Sequence, residues 1–341
     1  MEKPKALVEW VGAIHLHTKY SDGLGTVDAV VKAARRLGLD FCVVTDHDDM
    51  SALPREGYAG DTLLLVGTEV TCKDNGHCLA LGIRRPIPTG LAPQDAIDAI
   101  TQQGGLSILA HPWDRGSPRF GTYYPWRDWT VSGYSALEVW NFLNNWGEGV
   151  TNLGQAAIGF AFLSLRLTGP NPAGLAHWDR LNEERFALGE PPVPVIGGVD
   201  GHGYFMYRRS LGTVRTHIWA PPKRRDPARD RHAILRALRT GRCFLANDAL
   251  ADSRGFVFQV RGRDRQYPRD AADVAGPADI VVRLPRRAEV RILRDGETVY
   301  RNVTDHVTYR TERPGTYRCE ATRSYWGRSR PWIFTNAVHV R

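Results

Sequence analysis

Six of the eleven histidines stand beside carboxylates or turns at the ends of short apolar runs. Residues 12–23, GAIHLHTKYSDG, place His15 and His17 either side of one leucine, with Asp22 in a Ser-Asp-Gly turn further on. Downstream, TDHDD (45–49) carries His47, Glu69 follows LLLVGT, His77 precedes CLALGI and His111 follows LSILA. VIGGVDGHG then ends in Asp200 and His202, a second pair two positions apart. Residues two apart on a strand face the same way. Imidazole and carboxylate without thiolate suit Zn, Mn or Fe, with positions left open for water. Nine such side chains (His15, His17, Asp22, His47, Glu69, His77, His111, Asp200 and His202) exceed what one tetrahedral ion needs. Two or three divalent ions (Zn, Mn or Fe) are implied, and a glutamate can bridge two of them. Any one of these residues alone would read as structural, Asp22 as a plain turn residue above all; their joint pattern carries the chemistry.

Positioning them requires strands that end near one another. Short β-branched runs recur: VGAI (11–14), FCVVT (41–45), TLLLVG (62–67), CLALGI (78–83), LSILA (106–110), ALEVW (136–140), VPVIGGV (193–199) and TVRTHIWA (213–220). Helical patterns lie between several of them, at 26–38, 92–105, 173–189 and 227–241, the first with Thr26 as a plausible N-cap. Alternating strands and helices predict an α/β fold with parallel pairing, doubly wound or closed as a barrel. In a barrel the carboxyl ends converge on one face, which would gather all nine side chains around one cavity.

After about residue 250 the helical periodicity stops and alternating strands take over, with RDGE and RPGT as turns. This predicts two domains, 1–250 and 251–341, the second a small all-β sandwich-like module. Most of the net charge of +8 falls in that tail, and arginine far outnumbers lysine throughout. Interspersed acids favour a solvated face over a nucleic-acid footprint. No apolar run is long enough to span a membrane. The first residues lack a secretory signal's apolar core. Five cysteines without a C-x-x-C pair predict reduced thiols and a cytoplasmic protein.

HLHTKYSDG, TDHD, TEVTCKDNGH, AHP and GVDGHG resemble, in order, the successive motifs of the PHP (polymerase and histidinol phosphatase) metal-dependent hydrolases, over roughly residues 10–245. Within that family, ALEVWN and the closing PWIFTN strand look most similar to the branch containing the CehA/McbA carbamate hydrolase. The resemblance implies a distorted seven-stranded β/α barrel. It implies that His15, His17, Glu69 and Asp200 hold a first ion, and that Glu69 bridges to a second held by His77 and His111. Asp22, His47 and His202 would hold a third. Glu69, Asp200 and His202 are the residues expected at the reacting centre.

The chemistry expected of such a site is hydrolysis by a metal-bridging hydroxide, with the ions drawing charge from the attacked oxygen. Asp46 and Asp48 flank His47, and one could fix its ring. Lys19, Arg115, Arg208 and Arg209 sit beside motif loops and are the expected contacts for a phosphate. Trp113, Tyr20, Trp140 and Asn141 could line the pocket. The expected substrate is a small phosphate ester, with a nucleotide or nucleic acid as an alternative partner. Two other functions compete. One is hydrolysis of a carbamate or aryl ester at the same metals, with the Trp- and Tyr-rich segment 113–146 holding an aromatic leaving group. The other is a catalytically dead scaffold whose β module binds a partner.

Overall fold

The computed structural model describes residues 6–263, 265–268 and 273–341, apart from the side chains of 164 and 165. Eleven strands precede residue 250: β1 (Val8–Leu16), β2 (Phe41–Val44), β3 (Gly57–Ala59), β4 (Thr62–Val66), β5 (Thr68–Thr71), β6 (His77–Leu81), β7 (Leu106–Leu109), β8 (Ala136–Asn141), β9 (Val195–Gly198), β10 (Val214–Ala220) and β11 (Cys243–Asn247). The helices are α1 (Val27–Arg36), α2 (Pro93–Gln102), α3 (Phe142–Gly147), α4 (Leu153–Ala161), α5 (Leu163–Arg166), α6 (Pro172–Leu188), α7 (Tyr207–Ser210) and α8 (Pro227–Arg239). Local chemistry explains the longer ones. Thr26 caps α1 through its side chain, Asp226 caps α8, Asn171 caps α6 with Pro172 at the first turn, and Gly189 ends α6 in the left-handed conformation.

This mixed α/β chain does not close into the expected seven-stranded barrel. Among the described residues the strands divide between a five-stranded sheet, β5-β6-β7-β8-β9, and a fourteen-stranded sheet containing β1, β2, β3 and β4. Pairing is parallel where the barrel reading requires it, in β1–β2–β4 and β7–β8–β9. It turns antiparallel at β5–β6–β7 and at β1–β10–β11. The physical reason is edge use: β10 takes the free side of β1 and draws it into the larger sheet. Two isolated parallel bridges, Leu16–Gly201 and His47–Glu69, stitch the two sheets together. Both involve or adjoin the nine side chains.

The C-terminal strands extend the same sheet rather than standing apart. They are β12 (Val257–Arg261), β13 (Gln266–Tyr267), β14 (Asp273–Val274), β15 (Ala278–Arg294), β16 (Glu297–Thr311), β17 (Gly315–Tyr325), β18 (Arg328–Thr335) and β19 (Val338–Val340). β18 pairs with β11, so hydrogen bonding runs without a break from β13 to β3. Asp295 and Gly296, both at positive φ, form the tight turn between β15 and β16. A cluster of buried side chains built from Phe256, Phe258, Ile280, Val290, Tyr317 and Trp332 lies beneath these strands. A second cluster lies under α1, α2 and α6.

Candidate metal centre

The nine predicted side chains meet at one place. Glu69 on β5 is buried, and its two oxygens divide five imidazoles between them. Oε1 lies 3.0 Å from His77 Nδ1 and 3.2 Å from His111 Nε2. Oε2 lies 2.9 Å from His15 Nε2, 3.1 Å from His17 Nε2 and 3.5 Å from His47 Nδ1. Asp200 Oδ1 is 3.3 Å from His17 Nε2 and 3.4 Å from His202 Nδ1. Asp22 Oδ2 is 3.1 Å from His202 Nε2 and 3.9 Å from His47 Nε2. Four overlapping groups have donor atoms close enough to share an ion: His15, His17 and Asp200; His15, Glu69 and His111; His47, Glu69 and His77; and His17, Asp22, His47 and His202.

Backbone strain marks the same residues. His15, His111 and Asp200 have φ of 71°, 31° and 52°. L side chains avoid such values unless the surroundings enforce them, and they cluster at functional sites. The pairing of β1 with β2 shifts register between Ala13 and Leu16, so His15 sits in an irregular strand end. The two-residue spacing therefore turns both rings toward Glu69 through a bent strand, not a regular one.

The orientation of the rings supports metal ligation. His15 Nδ1 lies 2.8 Å from Glu138 Oε1, the position of an N–H donating to a carboxylate. Its Nε2 lies 2.9 Å from Glu69 Oε2, so a proton or a metal cation must lie between them. His202 Nδ1 donates to the Asp200 carbonyl at 3.1 Å, leaving Nε2 toward Asp22. A lone pair facing a carboxylate oxygen repels it unless a cation lies between. One nitrogen bonded to a carboxylate or carbonyl and the other left bare is the usual arrangement of a liganding histidine. His17 Nε2 and His77 Nδ1 have buried carboxylate oxygens close by, yet neither makes an aligned hydrogen bond. These unsatisfied atoms and the nitrogen-oxygen donor set fit divalent cations.

Electrostatics say the same. Burial opposes charge at Glu69, but His15, His77 and His111 hold its carboxyl well below the usual range. Asp22 is brought down to about 2 against burial, chiefly by His202. Burial also works against His17 and His111, yet Asp200 and Glu69 raise His17 to about 9 and Glu69 raises His111 to about 9. The carboxylates therefore demand positive charge. Divalent cations would answer that demand and displace the ring protons.

Glu138 is the residue the sequence reading passed over. It is buried in β8 and accepts from His15 Nδ1, from the His111 backbone N–H at 2.8 Å and from Asn141 Nδ2 at 3.1 Å. A carboxylate within a wholly buried strand must be paired, and its presence in ALEVW was the available signal. Asp46 and Asp48 do not fix His47. Asp46 instead accepts from the backbone and hydroxyl of Thr18 and from Ser21, shaping the loop after β1. Asp48 accepts from the Thr71 N–H. Tyr124 stacks on His77 and Tyr204 on His202.

A cavity of about 1120 Å³ opens on the cluster, and none of Lys19, Arg115, Arg208 and Arg209 is among the described residues lining it. Lys19 and Arg208 are exposed. Arg115 donates to Asn171, and Arg209 donates to the carbonyls of Phe160 and Ala161 at the end of α4. Trp140 is buried against Phe334, Tyr20 is exposed, and Trp113 stacks on Trp129. Asn141 caps α3 and reaches Glu138 and Asp200.

Residues 13–89 match the PHP domain. That segment contains His15, His17, Asp22, His47, Glu69 and His77. The chain is also similar to the uncharacterized protein MJ1587 of Methanocaldococcus jannaschii, 29% identical over 118 residues, covering 29% of this chain and 66% of that relative. Among solved structures, a two-domain protein of Bacteroides vulgatus, described as containing a predicted PHP-like metal-dependent phosphoesterase, aligns over 98% of this chain and 97% of its own, with 14% identity and a TM-score of 0.47. An amidohydrolase from Chromobacterium violaceum aligns over 56% of this chain and 87% of its own, with 15% identity and a TM-score of 0.31. None of these relatives supports the narrower resemblance to the CehA/McbA branch. No helix among the described residues is long and apolar enough to cross a membrane.

Proposed function

We propose that the protein is a metal-dependent hydrolase whose reacting centre is the Glu69 cluster, and that it cleaves phosphate esters. The observation that carries this reading is one buried carboxylate with five imidazole nitrogens within 3.5 Å, two on one oxygen and three on the other. That is the arrangement of a group bridging two ions. On the family pattern His15, His17, Glu69 and Asp200 would hold one ion, Glu69, His77 and His111 a second, and Asp22, His47 and His202 a third. The donor atoms here instead group His111 with His15, and His77 with His47, around Glu69. Divalent cations bound there supply Lewis acidity toward a substrate oxygen and acidify water. Glu138 orients the His15 ring and ties down the backbone at His111. Asp200 and His202 line the cavity beside the cluster. Residues 1–250 carry the chemistry in this reading, and 251–341 buttress it as a β module.

The test is a panel of phosphomonoesters and phosphodiesters, given to full-length protein loaded in turn with Zn, Mn and Fe. Turnover that chelation removes, and that Glu69→Gln lowers at least a hundredfold, is expected. Metal-loaded, folded protein with no turnover on the whole panel refutes the phosphoesterase reading. One observation favours a second reading, carbamate or aryl-ester hydrolysis at the same cluster: the described cavity walls carry no lysine or arginine to meet a phosphate.

A further inference from the structure

The cavity is more than a mouth for the cluster. Away from Glu69 its walls are Phe120, Leu143, Trp146, Phe160 and Phe205, together with polar residues that carry no positive charge. The rings form a packed set. Phe205 lies 4.6 Å from Trp146 and 5.5 Å from Phe160, centre to centre, and Phe120 lies 6.1 Å from Trp146. Tyr124, stacked on His77, lines the passage between this apolar annex and the cluster. Ser117 and Asn144 add polar edges to this wall.

Such walls discriminate. Polar walls with lysine or arginine would suit a nucleotide or a polynucleotide strand, whose remaining phosphates need neutralising. An apolar wall leaves a second phosphate desolvated and unpaired, which is costly. It rewards a ring. We infer that the annex is a substrate subsite for an uncharged, ring-bearing substituent, next to the bond cleaved at the cluster. The inference rests on the hydrolase reading above and adds to it the class of group that reading lacks.

The test uses full-length, metal-loaded protein and paired p-nitrophenyl esters that share a leaving group: methyl against phenyl p-nitrophenyl phosphate, and p-nitrophenyl acetate against benzoate. Relative to uncatalysed rates, the phenyl member of whichever pair is turned over should show kcat/KM at least tenfold higher, in the range that apolar pockets discriminate. In parallel, metal-free protein is titrated calorimetrically with 4-phenylphenol. Saturable binding is expected, weakened about tenfold by Phe205→Ala and by Phe120→Ala. Phe120 is 50% exposed, so losing its ring spares the fold if Phe205→Ala does not. Equal kcat/KM within a pair that is turned over, or no saturable binding of the phenol to wild type, overturns the inference. Binding of the phenol together with no turnover of either pair or of the phosphoester panel above supports the pocket and removes the hydrolase reading instead.

Discussion

Glu138 joins two groups far apart in the chain, the ring of His15 and the backbone N–H of His111. Replacing it with glutamine keeps the volume but loses the charge that fixes the His15 tautomer. Glu138→Gln is expected to lower divalent-metal affinity about 10- to 100-fold with little change in far-ultraviolet circular dichroism, as measured by competition with a metallochromic chelator. Unchanged affinity would show that His15 needs no such partner. The nine predicted residues were legible because each stands at the end of an apolar run, where a histidine or carboxylate has no packing role. Glu138 was not, because it lies inside such a run and bonds His15, the His111 backbone and Asn141. His217 supplies a different test. It is buried between Glu9 and Asp248, at 2.7 and 3.2 Å. Burial lowers its pKa, but Asp248 and Glu9 outweigh burial and raise it above the usual value, while Asp248 falls to about 2. Stability from protonated His217 is fully present below about pH 6.5 and is lost as pH rises through its higher folded pKa. The difference in Tm between wild type and His217→Gln, both in chelator, should therefore shrink as pH rises above about 6.5. A constant difference across that range would remove the ion-pair account.

At the scale of elements, close approach of β8 and β9 puts Glu138 where it is. A Cβ on Gly198 would lie 1.6 Å from Glu138 Oε1 and 3.2 Å from the Cβ of His15. Only glycine fits there. Gly198→Ala should displace the carboxylate and cost metal affinity at least as much as Glu138→Gln does, together with about 1–3 kcal/mol of stability from overpacking, read by denaturant unfolding in chelator. Retained affinity would mean that Glu138 has room to move. Eight strands before residue 250 and the helices α1, α2, α6 and α8 were readable from periodicity and caps, to within a few residues, whereas β3, β5 and β11 were not. The short helices α3, α4, α5 and α7 were not, since too few residues repeat to show a period. Barrel closure was also out of reach, because the antiparallel β10 competes for the edge of β1, and strand composition does not say which neighbour wins.

Across the whole molecule, the contacts that hold the C-terminal strands to the rest include the β11–β18 ladder and a buried ion pair. Arg318 on β17 donates from Nε and Nη2 to both oxygens of Asp179 on α6, at 2.7 and 2.8 Å, and also to Glu320. Burial lowers the arginine's pKa, but Asp179 and Glu320 raise it overall. Asp179→Ala leaves that guanidinium buried beside an incomplete set of partners and should cost about 3–5 kcal/mol in denaturant unfolding. A loss under about 1 kcal/mol would show that α6 does not depend on the pair. The positive charge of the tail read as a solvated face in the sequence, and Arg318 shows why composition alone could not say which arginines are structural.

The central claim is that the Glu69 cluster holds divalent ions. The most direct measurement is metal content per chain by mass spectrometry after incubation with Zn, Mn or Fe and removal of free ions, for wild type and for Glu69→Gln. About two or three ions per wild-type chain are predicted for such a multinuclear site, and fewer than one for the variant. Folded wild-type protein that retains no ion with any of the three metals would contradict the account.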